Sequence, residues 1–198
     1  MTGFAMETIS KVAEVKTGFY EIGKKPFEIQ ELREDSEKYG ISGNKIERAS
    51  FLTEIQEERQ AIREISPYSD SITNRLYSVQ EAEFYIDKGM IEGEINGRKC
   101  LKNPEIDWNR IDEDGQTNMQ RAELGKAPIA NNGERYELHH VGGQQDSPLA
   151  ELTTSEHRGE NQYTILHETG KESEVLHGNN FREVRQSYWK ARAQEIAS

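Results

Sequence analysis

The stretch from Asn132 to His157 sets the tightest limit on what this chain can fold into. Asn132-Gly133 is a turn signal, because both residues tolerate the backbone that a tight turn requires. Behind it, Tyr136 and Leu138 alternate with polar residues, the period of a half-buried strand. That strand is expected to end at the adjacent pair His139 and His140. Thr153 and Glu156 then form a capping box, a Thr-x-x-Glu spacing that opens a helix. The helix carries His157 in its first turns, and docking it on the strand brings a third histidine toward the first two.

The chain has 5 histidines, and all of them fall at or after residue 139: His139, His140, His157, His167 and His177. Histidine titrates near neutral pH and is a common metal ligand. Neighbouring strand residues point to opposite faces, so His139 and His140 are expected to do different jobs, one binding a metal and the other acting as a base. His157 is placed to complete such a site, and His167 follows after a loop. Two or three imidazoles plus water suit one divalent cation. The spacing alone matches no dedicated zinc template, and histidines lying at the surface or behind a site give the same pattern. His177 is expected to be a loop residue.

The remainder of the 198-residue chain narrows the class. Apolar residues make up 33% and charged residues 31%, a lean core under a solvated surface, and the net charge is −11. Neither half of the chain is basic overall. Non-specific binding to nucleic acid draws on Lys and Arg neutralising phosphates, so any such role needs a local basic patch or a metal ion. An anionic membrane is disfavoured for the same reason. The single cysteine, Cys100, forms no internal disulfide. With no long apolar run, neither a membrane helix nor a secretory signal is expected, and an export address would lie on sequence outside this chain.

Two regions are expected, a helical N-terminal segment over residues 1–68 and a second domain over 69–198, with a boundary rich in Ser, Asp and Pro around Pro67. Leu52, Ile55, Ile62 and Ile65 mark a helix in the first with one modest apolar stripe. In the second, Ser78 and Glu81 start a helix and Gly89 stops it. Asn96-Gly97 predicts a short hairpin, and residues 112–133 read as turns. The last helix is expected to bury Phe181, Val184, Tyr188 and Ala191, leaving Arg182, Arg185, Lys190 and Arg192 on other faces as a cationic patch.

The ordered set Asn118, Arg121, Ala127-Pro128, Leu138-His139-His140, Gln144 or Gln145, Pro148-Leu149, Glu151-Leu152, His157, Leu166-His167 and Tyr188-Trp189 resembles the LHH subgroup of the HNH/endonuclease VII nuclease superfamily. The resemblance covers roughly residues 78–198. It implies an α+β fold, mainly helical, with a ββα-metal (HNH) finger near the C-terminus: a β-hairpin, an Ω-like loop and a helix around one divalent ion. By the same resemblance His139 is a metal ligand and His140 the general base, while His157 and His167 are further ligands or orient them. The ion is expected to be Mg²⁺ first, with Zn²⁺, Mn²⁺ or Ni²⁺ as alternatives. Arg121 is the candidate phosphate clamp. Asn118 either belongs to the site or caps a turn.

The implied activity is metal-dependent cutting of double-stranded DNA. Members of this subgroup look like C-terminal toxin modules of larger exported bacterial proteins, as in contact-dependent inhibition. The expectation is therefore a polymorphic toxin carried out of the producer by export machinery, acting in the cytoplasm of a target cell and neutralised by a cognate immunity protein. A non-catalytic DNA- or metal-binding module and a housekeeping restriction or repair nuclease are the rival readings.

Overall fold

A computed structural model of the chain describes residues 45–167 and 179–198; His177 lies outside the described residues. Contacts divide the chain into two units, Met1–Ile65 and Ser66–Ser198, and the expected boundary after residue 68 falls just beyond that division. In the first unit, helix α1 spans Lys45–Ile65. No helix among the described residues is long and apolar enough to cross a membrane.

The second unit is built on a four-stranded mixed sheet. Its short helices are α2 (Asp70–Thr73), α3 (Val79–Asp87), α4 (Asn118–Glu123), α5 (Thr154–Arg158) and α6 (Glu160–Leu166), and its long helix is α7 (Asn179–Ala197). The strands are β1 (Ile91–Ile95), β2 (Arg98–Lys102), β3 (Tyr136–His140) and β4 (Leu149–Thr153), in the spatial order β1-β2-β4-β3. The hairpins β1–β2 and β3–β4 are antiparallel, and the central pair β2–β4 is parallel. An α+β fold with a β-strand pair running into a short helix near the C-terminus is what the resemblance implies.

Local signals place most of these elements. Asn96 and Gly97 both take positive φ, 53° and 75°, the backbone of the two-residue hairpin turn that asparagine and glycine favour. The Ser78 hydroxyl accepts the Glu81 N–H and starts α3. Both halves of the Thr153–Glu156 box are made, so β4 passes directly into α5. Residues 112–133 are not turns alone. They contain α4, opened by a second complete box between Thr117 and Gln120, a signal of the same kind as the one at Thr153. Asn118 is fully buried there. Its Nδ2 donates to the Asp107 and Ile129 carbonyls, both at 2.8 Å, and its Oδ1 accepts the Ile129 N–H at 2.7 Å. It clasps two loops together.

Helix α7 packs on one face of the sheet, with Phe181, Tyr188, Trp189 and Ala193 against Cys100, Leu138 and Leu149. Val184 instead stays exposed, at 37%. The bulk of Trp189 turns the buried stripe toward positions 188, 189, 192 and 193. Arg192 is also inside, 6% exposed rather than on the outer face. Its Nε donates to Glu151 Oε1 at 2.9 Å, and the same oxygen accepts the Tyr188 hydroxyl at 2.8 Å. Glu151 Oε2 accepts the Asn103 N–H at 2.8 Å. Burial pushes the Glu151 carboxyl up, against the pull of Arg192. A carboxylate taken out of water is tolerated only when paired and hydrogen-bonded, and this one draws Arg192 inward from the cationic patch.

Glu81, also fully buried, receives the Tyr77 and Gly142 N–H groups and the Tyr85 hydroxyl. Burial pushes its carboxyl up to about 8 despite these donors.

Two predictions follow from these carboxyls. Glu151→Ala leaves the buried Arg192 Nε and the Tyr188 hydroxyl without their acceptor, with Arg192 still paired to Glu195 through Nη1 at 3.0 Å, and is expected to cost about 2–4 kcal/mol of stability, measured by urea unfolding. For Glu81, the folded protein holds the proton more tightly than the unfolded chain. Its contribution to stability is therefore full below the ordinary carboxyl range and is lost as pH rises through about 8. Melting temperature measured across that range is expected to fall less in Glu81→Gln than in the unaltered protein.

Candidate functional site

Strand β3 sorts its side chains by alternation. Tyr136 and Leu138 enter the core beneath α7, and His140 joins them with its ring centroid 4.9 Å from that of Phe181. Glu137 and His139 point the other way. There β4 offers Ala150 opposite His139 and Leu152 opposite Glu137, and the small Ala150 side chain leaves room for an imidazole.

Helix α5 places His157 over this face, and the end of α6 places His167. The ring centroids of His139 lie 4.8 Å from those of His157 and 5.0 Å from those of His167, and the other two are 5.4 Å apart. One nitrogen from each of the three rings falls within 4.8 Å of the others. The structure thus brings together His139, His157 and His167, and sets His140 on the opposite side of the strand.

Each outer imidazole is oriented by a partner behind it. His157 Nδ1 lies 2.7 Å from Glu137 Oε2. A carboxylate only accepts, so Nδ1 carries a proton, and in the neutral ring Nε2 keeps its lone pair. That Nε2 sits 3.0 Å from His139 Nδ1. His167 Nδ1 donates to the Tyr163 carbonyl at 3.1 Å, freeing its Nε2 in the same way. Metal-bound histidines are commonly oriented by such carboxylate or carbonyl partners.

His139 is 2% exposed, and among the described residues its Nε2 has no hydrogen-bond partner. Burial holds its pKa well below the ordinary value, with His157 and His167 adding to the effect. Burial also lowers His167. Neutral imidazole is the form that binds a metal. Three imidazoles gathered within reach of one another, two of them oriented from behind, fit a single divalent ion.

Two participants escaped the sequence reading. Glu137 stands two residues before His139 on an alternating strand, which puts it on the same face, and that spacing was the available signal. Arg158, next after His157, donates from Nε to Glu137 Oε2 at 2.8 Å. Burial raises the Glu137 carboxyl, but Arg158 and His157 outweigh it and hold it below the usual range.

Arg121 is placed elsewhere. Its Nη1 pairs with Asp112 Oδ2 at 2.5 Å and its Nε donates to the Ala127 carbonyl at 3.1 Å, with the residue only 8% exposed. The expected phosphate clamp closes an internal loop instead, because Asp112 demands a cation inside. Of the two glutamines, Gln144 bonds Arg75 through its side chain, and Gln145 accepts Arg98 Nη2 through its carbonyl at 2.9 Å.

Residues 117–195 match the model of the LHH family, described as a nuclease of the HNH/ENDO VII superfamily with conserved LHH. The resemblance carried by Leu138-His139-His140 is thereby shown over these residues, and the match indicates a nuclease. No solved structure matches the chain.

Glu137→Gln is expected to weaken divalent-metal binding by roughly 10-fold or more, because it loosens the His157 ring without removing a ligand. Isothermal titration with Zn²⁺ and Ni²⁺ checks this. The depressed histidines also set an acid limit. The metal-free protein is expected to lose stability as pH falls through 6.5, where the unfolded chain takes up protons that the folded His139 refuses, and melting curves across that pH range test it.

Proposed function

We propose that residues 69–198 form a metal-dependent DNA endonuclease that serves as an antibacterial toxin module and is neutralised by a cognate immunity protein. The observation that carries this reading is the division of the adjacent histidines. His139 joins His157 and His167 in one three-imidazole cluster, and His140 stands apart on the other face, within residues matched to a nuclease family.

When bound, a divalent ion supplies positive charge to the scissile phosphate and to the leaving oxygen. His139, His157 and His167 would hold it. Imidazole donors favour Zn²⁺ or Ni²⁺, whereas Mg²⁺ prefers hard oxygen ligands, so this donor set moves Zn²⁺ and Ni²⁺ ahead of Mg²⁺. His140 takes a proton from the attacking water, the new P–O bond forms and the P–O bond to the leaving oxygen breaks. The His140 ring is covered by Phe181 at the start of α7, and the base role requires this contact to open when the phosphate docks. Arg185 is exposed and stacks over the same Phe181 ring at 5.3 Å. With Arg192 buried and Arg121 committed to Asp112, the exposed Arg182, Arg185 and Lys190 are the cations left on α7 to meet DNA.

Export as part of a larger protein, delivery into the cytoplasm of a target cell and an immunity protein that covers the nuclease domain complete the proposal. The support for them is the kind of protein that the resembled subgroup comprises. A non-catalytic module would bind metal without cutting, and a housekeeping nuclease would cut without needing a protective partner.

His140→Ala is expected to slow plasmid cutting by about 10²–10⁴-fold, and EDTA is expected to abolish it. A variant within a few-fold of the unaltered protein contradicts the base assignment. Reversing Arg185 and Lys190 to Glu is expected to weaken DNA binding and flatten its salt dependence, since each lost phosphate contact lowers the slope. The toxin reading predicts that expression kills cells unless a neighbouring gene product is co-expressed. A chain starting near Ser69 should still cut and still be inhibited. If it cuts but escapes inhibition, residues 1–68 are the docking segment.

A further inference from the structure

The segment from Arg75 to Lys88 precedes the family-matched residues 117–195, yet it reaches the backbone or side chains near three of the four site histidines, His140, His157 and His167. Glu81 Oε1 accepts the Gly142 N–H at 3.3 Å, two residues after His140. The Tyr77 hydroxyl donates to the Thr164 carbonyl at 2.9 Å and also to that of Ile165, two residues before His167. Lys88 Nζ pairs with Glu156 Oε1 at 2.6 Å, one residue before His157. Arg75 grips the loop after His140 twice, through Gln144 and through Asp146 at 3.1 Å.

The fit at Gly142 is close. Its φ is +71°, and a Cβ there would stand 2.0 Å from the Arg75 carbonyl oxygen. The loop behind His140 is therefore pressed against this segment and has one way to lie. Glu81 ties the two together from inside. It is fully buried, and its two oxygens divide between Gly142 and the segment's own Tyr77 N–H, 2.9 Å away.

We infer that residues 75–88 are a positioning brace for the active centre, in which Glu81 sets the loop that follows His140 and Tyr77 sets the helix end that carries His167. This rests on the nuclease reading above. Neither residue touches the reacting atoms. Each acts through backbone that a catalytic or metal-binding histidine follows or precedes, so their loss separates into two different defects.

The test compares Glu81→Gln and Tyr77→Phe in the full chain, well below the melting temperature of each. Glutamine replaces one of the two carboxyl oxygens with an amide nitrogen that only donates, so one of the two N–H groups loses its partner while the side-chain volume stays. Glu81→Gln is expected to lower kcat by roughly 10–100-fold, since small misplacements of a reacting group are costly, with Zn²⁺ affinity unchanged. Tyr77→Phe is expected to weaken Zn²⁺ binding by about 10-fold, with kcat at saturating metal nearly retained. Glu81→Ala removes both acceptors; if it fails to fold, the glutamine variant carries the comparison. The inference is overturned if both variants keep kcat and Zn²⁺ affinity, or if all losses simply follow melting temperature. If the unaltered protein cuts no DNA, the nuclease reading fails instead. The brace is then judged by the imidazole resonances of His140 and His167, with the His140 signals moving in Glu81→Gln and the His167 signals in Tyr77→Phe. Unmoved signals overturn it.

Discussion

The two-residue period of β3 is the constraint on which the site depends. It sends Leu138 and His140 into the core under α7, and Glu137 and His139 to the face where α5 and α6 dock. A slip of one residue in pairing with β4 would exchange the two sets, burying a carboxylate among apolar side chains and stripping the imidazole cluster of its central member. Register is held by the apolar face, where Tyr136 and Leu138 have no acceptable place in water. The chemistry of one face is thus fixed by the packing of the other.

Buried carboxyl groups do the remaining organising. A chain with 33% apolar residues closes its core partly around Glu151, which joins β4 to α7 through Arg192 and Tyr188 and to the end of β2 through Asn103. Glu81 does the same for the turn after β3. Such groups are costly when left alone and directional when satisfied, so they define where each element sits more sharply than apolar contact does. The strongly acidic balance is therefore not all surface.

What was legible in the sequence was local. The hairpin at Asn96-Gly97, the helix starts at Ser78 and Thr153, and the strand running into the histidine pair each depend on residues a few positions apart. Helix α4 was equally local, announced by Thr117 and Gln120, and was hidden by the glycines and prolines around it. The parallel pairing of β2 with β4 had no local signature, and β4 came only from the resemblance, because a strand buried along its whole length shows no alternation. Sequence alone places Arg192 in the cationic patch and Arg121 as a phosphate clamp, because nothing local marks their carboxylate partners, Glu151 at 41 residues and Asp112 at 9. The convergence of His139, His157 and His167 was partly foreseeable from strand alternation and a capped helix. The orienting role of Glu137 needed the helix to be in place before its position two residues from His139 acquired meaning.

Adjacent histidines of one strand serve opposite faces, His139 toward the three-imidazole cluster and His140 toward the core. Calorimetric titration of Zn²⁺ into His139→Ala and His140→Ala tests this division most directly. Binding is expected to be lost or strongly weakened in the first and retained in the second. Loss of the ion from His140→Ala, or its undiminished binding by His139→Ala, would contradict the division.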